Sequence, residues 1–274
     1  MKSIFYKYTL LAAVFVAVSS LSAQTKMDIP NIPGYTTLKC DFHLHTVYSD
    51  GSVWPNFRVN EAVRDGLDVI AMTDHIDFES FPEFIEKDYN KPYEIAKKAA
   101  ENKDLIVING GEISPRVAPY HNNAIFLKDV NKLPIEYMKE THKKFVMKDD
   151  IKKEELTAPF LEAQRQDAFV FYNHPGYSWW DKKDTAIFTG LHKELYEKGI
   201  IKGVEVVNGR YNIIAHRIAE KYNLTVMGNS DAHADVFYTY RDSHRPVTLV
   251  FAKEKTEAAV KEALLARRTA VYVG

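Results

Sequence analysis

The chain has 274 residues, 36 basic and 37 acidic, with 46% hydrophobic and 27% charged positions. That is ordinary globular composition with room for one sizeable domain; it argues against bulk disorder and against a broad basic footprint for a nucleic-acid polymer. Cys40 is the only cysteine, so no internal disulfide can form.

The first 23 residues read as a secretory signal peptide. Lys2 and Lys7 begin it, an apolar run follows from Leu10 to Val18, and Ser19, Ser20, Ser22 and Ala23 close it. The run is short for a membrane span, although an uncleaved anchor is the alternative reading. Export to the periplasm or outside the cell is therefore expected, with cleavage after Ala23 and no stable membrane association afterwards. Residues 24–37 read as an N-terminal extension and residues 38–274 as the domain.

Buried strands are predicted over Leu38–Leu44, Asp68–Thr73, Leu105–Asn109, Ala124–Leu127, Ala168–Tyr172, Gly203–Val207, Thr225–Met227 and Thr248–Ala252. They are mostly non-alternating runs of branched and aromatic residues, as in parallel strands covered on both faces. Amphipathic helices are predicted over Asn56–Asp65, Pro92–Asn102, Glu154–Gln166, Ile213–Tyr222 and Thr256–Ala266. This alternation predicts an α/β fold, and the strand count suits a barrel better than an open sheet. Asp129–Lys153 is charged and irregular, and reads as a surface excursion. Cys40 reads as a small core residue.

The ten histidines are not scattered. His43 and His45 end the first strand, and residues two apart on a strand face the same side. Asp50 follows in the turn Ser49-Asp50-Gly51. His75 comes directly after the second strand, beside Asp74, which reads as a group behind the ligands rather than one of them. Glu112 follows the third strand in Gly110-Gly111-Glu112. His121 lies before the fourth, His174 follows the fifth in Asn173-His174-Pro175, and Asp231 and His233 follow the strand Thr225–Met227. Barrel active sites are built at the carboxyl ends of strands, and a mixed nitrogen and oxygen set placed there points to metal.

Together these segments resemble the polymerase-and-histidinol-phosphatase (PHP) domain superfamily. The resembling motifs are Asp41-Phe42-His43-Leu44-His45-Thr46, Ser49-Asp50-Gly51, Thr73-Asp74-His75, Gly111-Glu112, Asn173-His174-Pro175 and Ser230-Asp231-Ala232-His233, in the family's order. The resemblance implies a distorted seven-stranded β/α barrel and three divalent ions of manganese, zinc or iron. It implies that His43, His45, Glu112 and Asp231 hold the first ion. Glu112, His121 and His174 would hold the second, and Asp50, His75 and His233 the third. It further implies hydrolysis of a small-molecule phosphate ester, most similar to the short exported phosphodiesterase-like members, by a hydroxide bridging two ions. Three divalent ions outweigh three carboxylates, so such a site attracts an anion.

The residues beyond the ligands suggest further roles. His244 and Arg245, in the long loop Ala234–Arg245 leaving His233, are expected over the mouth as proton donor and phosphate contact. Arg116 and Arg210 are further phosphate contacts by position. Tyr120 and Tyr211 are alternative acids, and Trp179 and Trp180 could line a pocket. His142, His192 and His216 read as surface residues. Two other functions share parts of this pattern: an amidohydrolase acting on amides or carboxylic esters, and a metal-binding protein without catalysis.

Overall fold

A computed structural model describes residues 27–138, 147–176, 188–241 and 243–274. The leader 1–23, His142, Trp179 and Trp180 lie outside the described residues. The chain runs β1 (Thr36–Asp41), α1 (Pro55–Arg64), β2 (Val69–Met72), α2 (Lys91–Ala99), β3 (Ile106–Ile113) and β4 (Asn122–Ile125). It continues with α3 (Lys153–Arg165), β5 (Phe169–Tyr172), α4 (Gly190–Glu197), β6 (Ile201–Asn208), β7 (Arg210–Tyr211) and α5 (Ile213–Tyr222). The last part is β8 (Thr225–Asn229), α6 (Val236–Thr239), β9 (Val247–Ala252), α7 (Glu257–Leu265) and β10 (Thr269–Tyr272). β1 begins at Thr36, and Met27 is already buried. The described chain before residue 38 therefore belongs partly to the sheet and core.

The strands lie in the order β10-β9-β1-β2-β3-β4-β5-β6, with β7 and β8 both on β6. The sheet curls until β8 faces β9 and β1, giving a distorted, nearly closed barrel. Side chains join that seam. Thr248 Oγ1 donates to Gly228 O and accepts from Gly228 N, and Phe42 N donates to Asn229 Oδ1 at 2.9 Å. Gly228 is required there: a β-carbon would stand 2.2 Å from Val271 Cγ1.

Two of the strands expected from the sequence depart from the all-parallel arrangement. β4 is antiparallel to β3 and β5, and β9 is antiparallel to β1. Only residues 114–121 link β3 to β4, too few for the crossover a parallel pair needs. The segment after β8 stays at one end of the barrel, so β9 starts there and runs back. The excursion after Asp129 is also more than surface, since Val130, Leu133 and Tyr137 are buried.

Each helix has a local cause. Pro55 and Pro92 sit at helix starts, where a missing N–H costs nothing. Asn212 caps α5 by accepting from Ile214 N and Ala215 N. α4, absent from the sequence expectation, is capped by Thr189 and buries His192 completely. His192 is thus no surface residue; it packs between Phe188 and Tyr172, and burial lowers its pKa to about 4. Cys40 is fully buried beside Leu38 and Phe42.

Candidate metal centre

Nine side chains from six segments converge at one end of the barrel. His43 and His45 extend β1 past its end, held by a bridge of Leu44 to Ala232 and by His45 N donating to Ala232 O. Both are fully buried. Glu112 lies inside β3, opposite Asn123, rather than past the strand. His121 precedes its strand because β4 is the reversed one. His174 and Asp231 follow β5 and β8 with φ of 27° and 52°. These left-handed conformations are costly for residues other than glycine, and they are found where a site requires a particular direction.

Asp50 stands on a turn folded tightly over His45. Gly51 N donates to Thr46 O at 2.9 Å. A β-carbon on Gly51 would lie 2.7 Å from backbone atoms of His45 and Thr46, so only glycine fits.

The ring nitrogens of His43 and His45 lie between two carboxylate oxygens, one from Glu112 and one from Asp231. His43 Nε2 and His45 Nε2 are 3.1 Å apart. Asp231 Oδ1 lies 3.2 and 3.1 Å from them, and Glu112 Oε2 3.5 and 3.3 Å. With metal–ligand bonds of about 2.0–2.2 Å, a tetrahedral site has edges of about 3.3–3.6 Å. These five separations, each involving a histidine, are close to those edges. Glu112 Oε2 and Asp231 Oδ1 are buried and accept no hydrogen bond, which in a folded protein calls for a partner of another kind. A divalent cation fits both facts.

The other carboxylate oxygen of Glu112 faces the opposite way. Its Oε1 is 2.9 Å from His121 Nδ1 and 3.6 Å from His174 Nε2. One carboxylate thus reaches two donor groups. A third group forms around Asp50, whose oxygens lie 3.3 Å from His233 Nε2, 3.6 Å from His75 Nε2 and 3.5 Å from His45 Nδ1. Four groups of side chains could each hold an ion, and between them they contain all nine residues.

Burial alone would keep Glu112 protonated, but His75, His121 and His43 outweigh it and hold the carboxyl well below its usual range. Asp50 and Asp231 are lowered in the same way. At His43 burial opposes the charged ring, yet Asp231, Glu205 and Glu112 raise its pKa well above normal. His121 is dominated by burial and falls to about 4.

Behind the nine lie groups the sequence reading mostly missed. Asp74 accepts from Thr46 N, Thr46 Oγ1 and Ser49 Oγ, and Ser49 Oγ lies 3.3 Å from His45 Nδ1. Ser114 Oγ contacts His75 Nδ1 at 2.6 Å and donates to Asp77, which also accepts from Tyr137 OH. The fully buried Arg58 donates to the carbonyls of His45, Ala232 and Ala234 and pairs with Glu61. It thereby ties the segment of His43 and His45 to that of Asp231 and His233. Glu205, inside β6, contacts His43 Nδ1 at 2.9 Å. The only sequence signal for Glu205 was a charge within an apolar strand.

The residues expected to meet substrate separate. Arg210 is exposed beside a cavity of about 380 Å³ that also borders His174, Glu205 and Asn208. Arg116 is exposed on the segment after β3. Tyr120 is half-buried, and Tyr211 OH lies 2.7 Å from His216 Nδ1. Arg245 is a correction: it is fully buried, with its guanidinium on Asp41 and Asp65 rather than over the mouth. In that buried setting the attraction of the two carboxylates for the cation is stronger than in water and offsets the cost of burying it. His244 is nearly buried against the C-terminal Gly274.

The fold and this donor set are those of a metal-dependent hydrolase family, and comparison agrees. Residues 41–163 match the PHP domain model. A two-domain protein from Bacteroides vulgatus, described as containing a predicted PHP-like metal-dependent phosphoesterase, is 39% identical, with a TM-score of 0.81. The match covers 92% of this chain and 69% of that one. An uncharacterized protein of Methanocaldococcus jannaschii is 30% identical over 72% of this chain and 82% of its own. An Endonuclease Q in complex with a 27-mer duplex bearing an abasic lesion is 16% identical at a TM-score of 0.52, a likeness of fold alone. This chain belongs to the PHP domain family.

Proposed function

We propose that this chain hydrolyses phosphate esters of small molecules, using up to three divalent ions. The observation that carries the reading is the group of His43, His45, Glu112 and Asp231, spaced as ligands and containing two buried carboxylate oxygens without hydrogen bonds. In this reading Glu112 also serves a second ion with His121 and His174, and Asp50, His75 and His233 serve a third. When bound, the ions supply positive charge for a phosphate group and acidify water for attack. The chain's own part is to hold the carboxylates ionised and all the donors aimed. Asp231 and Glu112 keep their charge despite burial, and Arg210 at the neighbouring cavity suits a phosphate oxygen.

The test is turnover of bis(p-nitrophenyl) phosphate, p-nitrophenyl phosphate and p-nitrophenyl acetate with added manganese. Cleavage of either phosphate, lost with chelator, supports the proposal. Cleavage of the acetate alone would favour the amidohydrolase-like reading, and no turnover with metal bound would favour a binding protein. We also propose export, on the strength of the leader pattern in residues 1–23.

A further inference from the structure

We propose that Glu205 is a positioning residue that fixes the proton of His43 on Nδ1 and so presents the Nε2 lone pair to the metal centre. The inference rests on the proposed function, because it concerns how one of the nine side chains is prepared to bind.

Glu205 sits in the middle of β6 and is 1% exposed. Both of its oxygens are occupied by donors. Oε1 accepts from Asn229 Nδ2 at 2.9 Å and faces His43 Nδ1 at 2.9 Å. Oε2 accepts from His174 N at 2.8 Å and from Asn208 Nδ2 at 3.0 Å. Three protein N–H groups already donate to its two oxygens, so a carboxyl proton there would face only donors and the group is held as a carboxylate acceptor. An ionised carboxylate has no proton to give. His43 must therefore donate from Nδ1, and in the neutral ring the lone pair is then on Nε2. Nε2 is the atom that stands 3.1–3.5 Å from His45, Asp231 and Glu112.

The same carboxylate holds the backbone of His174, which faces the other oxygen of Glu112. Glu205 thus braces one side chain from each of the two donor groups that Glu112 spans. A neutral isostere does not preserve this. In Glu205→Gln the amide NH2 must face either Asn229 and His43 or His174 and Asn208, and each pair already donates. One pair loses its acceptor whichever way the amide turns. With the NH2 toward His43, that ring relieves the clash by moving its proton to Nε2, the position that must be vacant for a metal; with the NH2 toward His174, the backbone of that second donor loses its anchor.

The experiment is zinc titration of chelator-treated protein, wild type against Glu205→Gln and Glu205→Asp, with thermal unfolding in chelator alongside. Removing a carboxylate behind a ligand histidine typically costs about 10- to 100-fold in affinity. Such a loss in Glu205→Gln, with metal-free unfolding close to wild type, supports the inference. Equal affinity in the two proteins overturns it. Should Glu205→Gln fail to fold, histidine nitrogen NMR on zinc-loaded wild type decides. A His43 Nδ1 proton, shifted downfield and protected from exchange, is expected; its absence overturns the proposal. Wild type that binds no zinc would instead defeat the metal reading itself.

Discussion

Replacing Arg245 separates a substrate contact from a structural one. Its guanidinium lies 2.6 Å from Asp65 and 3.2 Å from Asp41, and all three side chains are fully buried. Arg245→Met keeps most of the apolar bulk and removes the charge. Asp65 retains Arg64 at 2.9 Å, and Asp41 retains Ser230 N and Oγ, but both lose their buried cation. Breaking such a pair costs about 3–5 kcal/mol. That is a large part of the roughly 5–15 kcal/mol by which domains are stable. In urea, with a slope near 3 kcal/mol per molar, the midpoint should fall by about 1–2 M.

A pH signature accompanies the loss. Burial already raises the Asp41 pKa even with Arg245 beside it. Without Arg245 it rises further, so folding takes up a proton and the variant's deficit is smaller at acid pH than at alkaline pH. The KM for a chromogenic phosphate ester should change by less than twofold. An unchanged urea midpoint with a KM raised tenfold would refute this account and return Arg245 to the substrate.

Glu112→Ala should abolish turnover and lower the bound metal from more than one ion per chain, read by elemental analysis; full activity would defeat the ligand assignment. Gly51→Ala must push the Asp50 turn off the His45 backbone, so activity should fall and recover in part at high manganese; no change would show that the turn is slack. In chelator, the raised His43, His45 and His75 make their pairs stabilising below the ordinary histidine pKa and lose that contribution as pH rises through the folded values. The depressed Asp50, Glu112 and Asp231 act in the opposite sense, contributing above the carboxylate range and losing it in acid. The metal-free melting temperature should therefore fall on both sides of a mildly acidic optimum, whereas a flat profile would contradict the pairing. Export predicts a mature N-terminus near Gln24 by N-terminal sequencing; an intact Met1 on exported or membrane-bound protein would show the leader was misread.

Most of the nine clustered side chains were legible because they stand near strand ends, which can be read from short apolar runs; Asp50 and Glu112, on a turn and inside β3, were legible only from their Ser-Asp-Gly and Gly-Gly-Glu surroundings. The helix Ile213–Tyr222 was legible to the residue because Asn212 caps it and Asn223 ends it in a left-handed conformation. The reversal of β4 and β9 was not, since local periodicity carries no strand direction. Arg245 was misplaced because chain proximity to His233 says nothing of Asp41 and Asp65, which come from the far end of the sequence. Glu205, Asp77 and Arg58 were missed for the same reason: a buried charge is recognisable only through partners distant in sequence.

The seam of the barrel gives the ions a mechanical meaning. Phe42 and Asn229, 187 residues apart in the chain, hydrogen-bond beside it, and the segments of His43 and Asp231 meet there with few backbone bonds between them. A cation shared by those two side chains would be a cross-link between the first and last parts of the barrel, in a protein whose single cysteine can make none. It would exist only in the folded chain, so each ion bound would add to the work of opening it. Metal supply would then govern how long the protein resists proteases as well as whether it turns over.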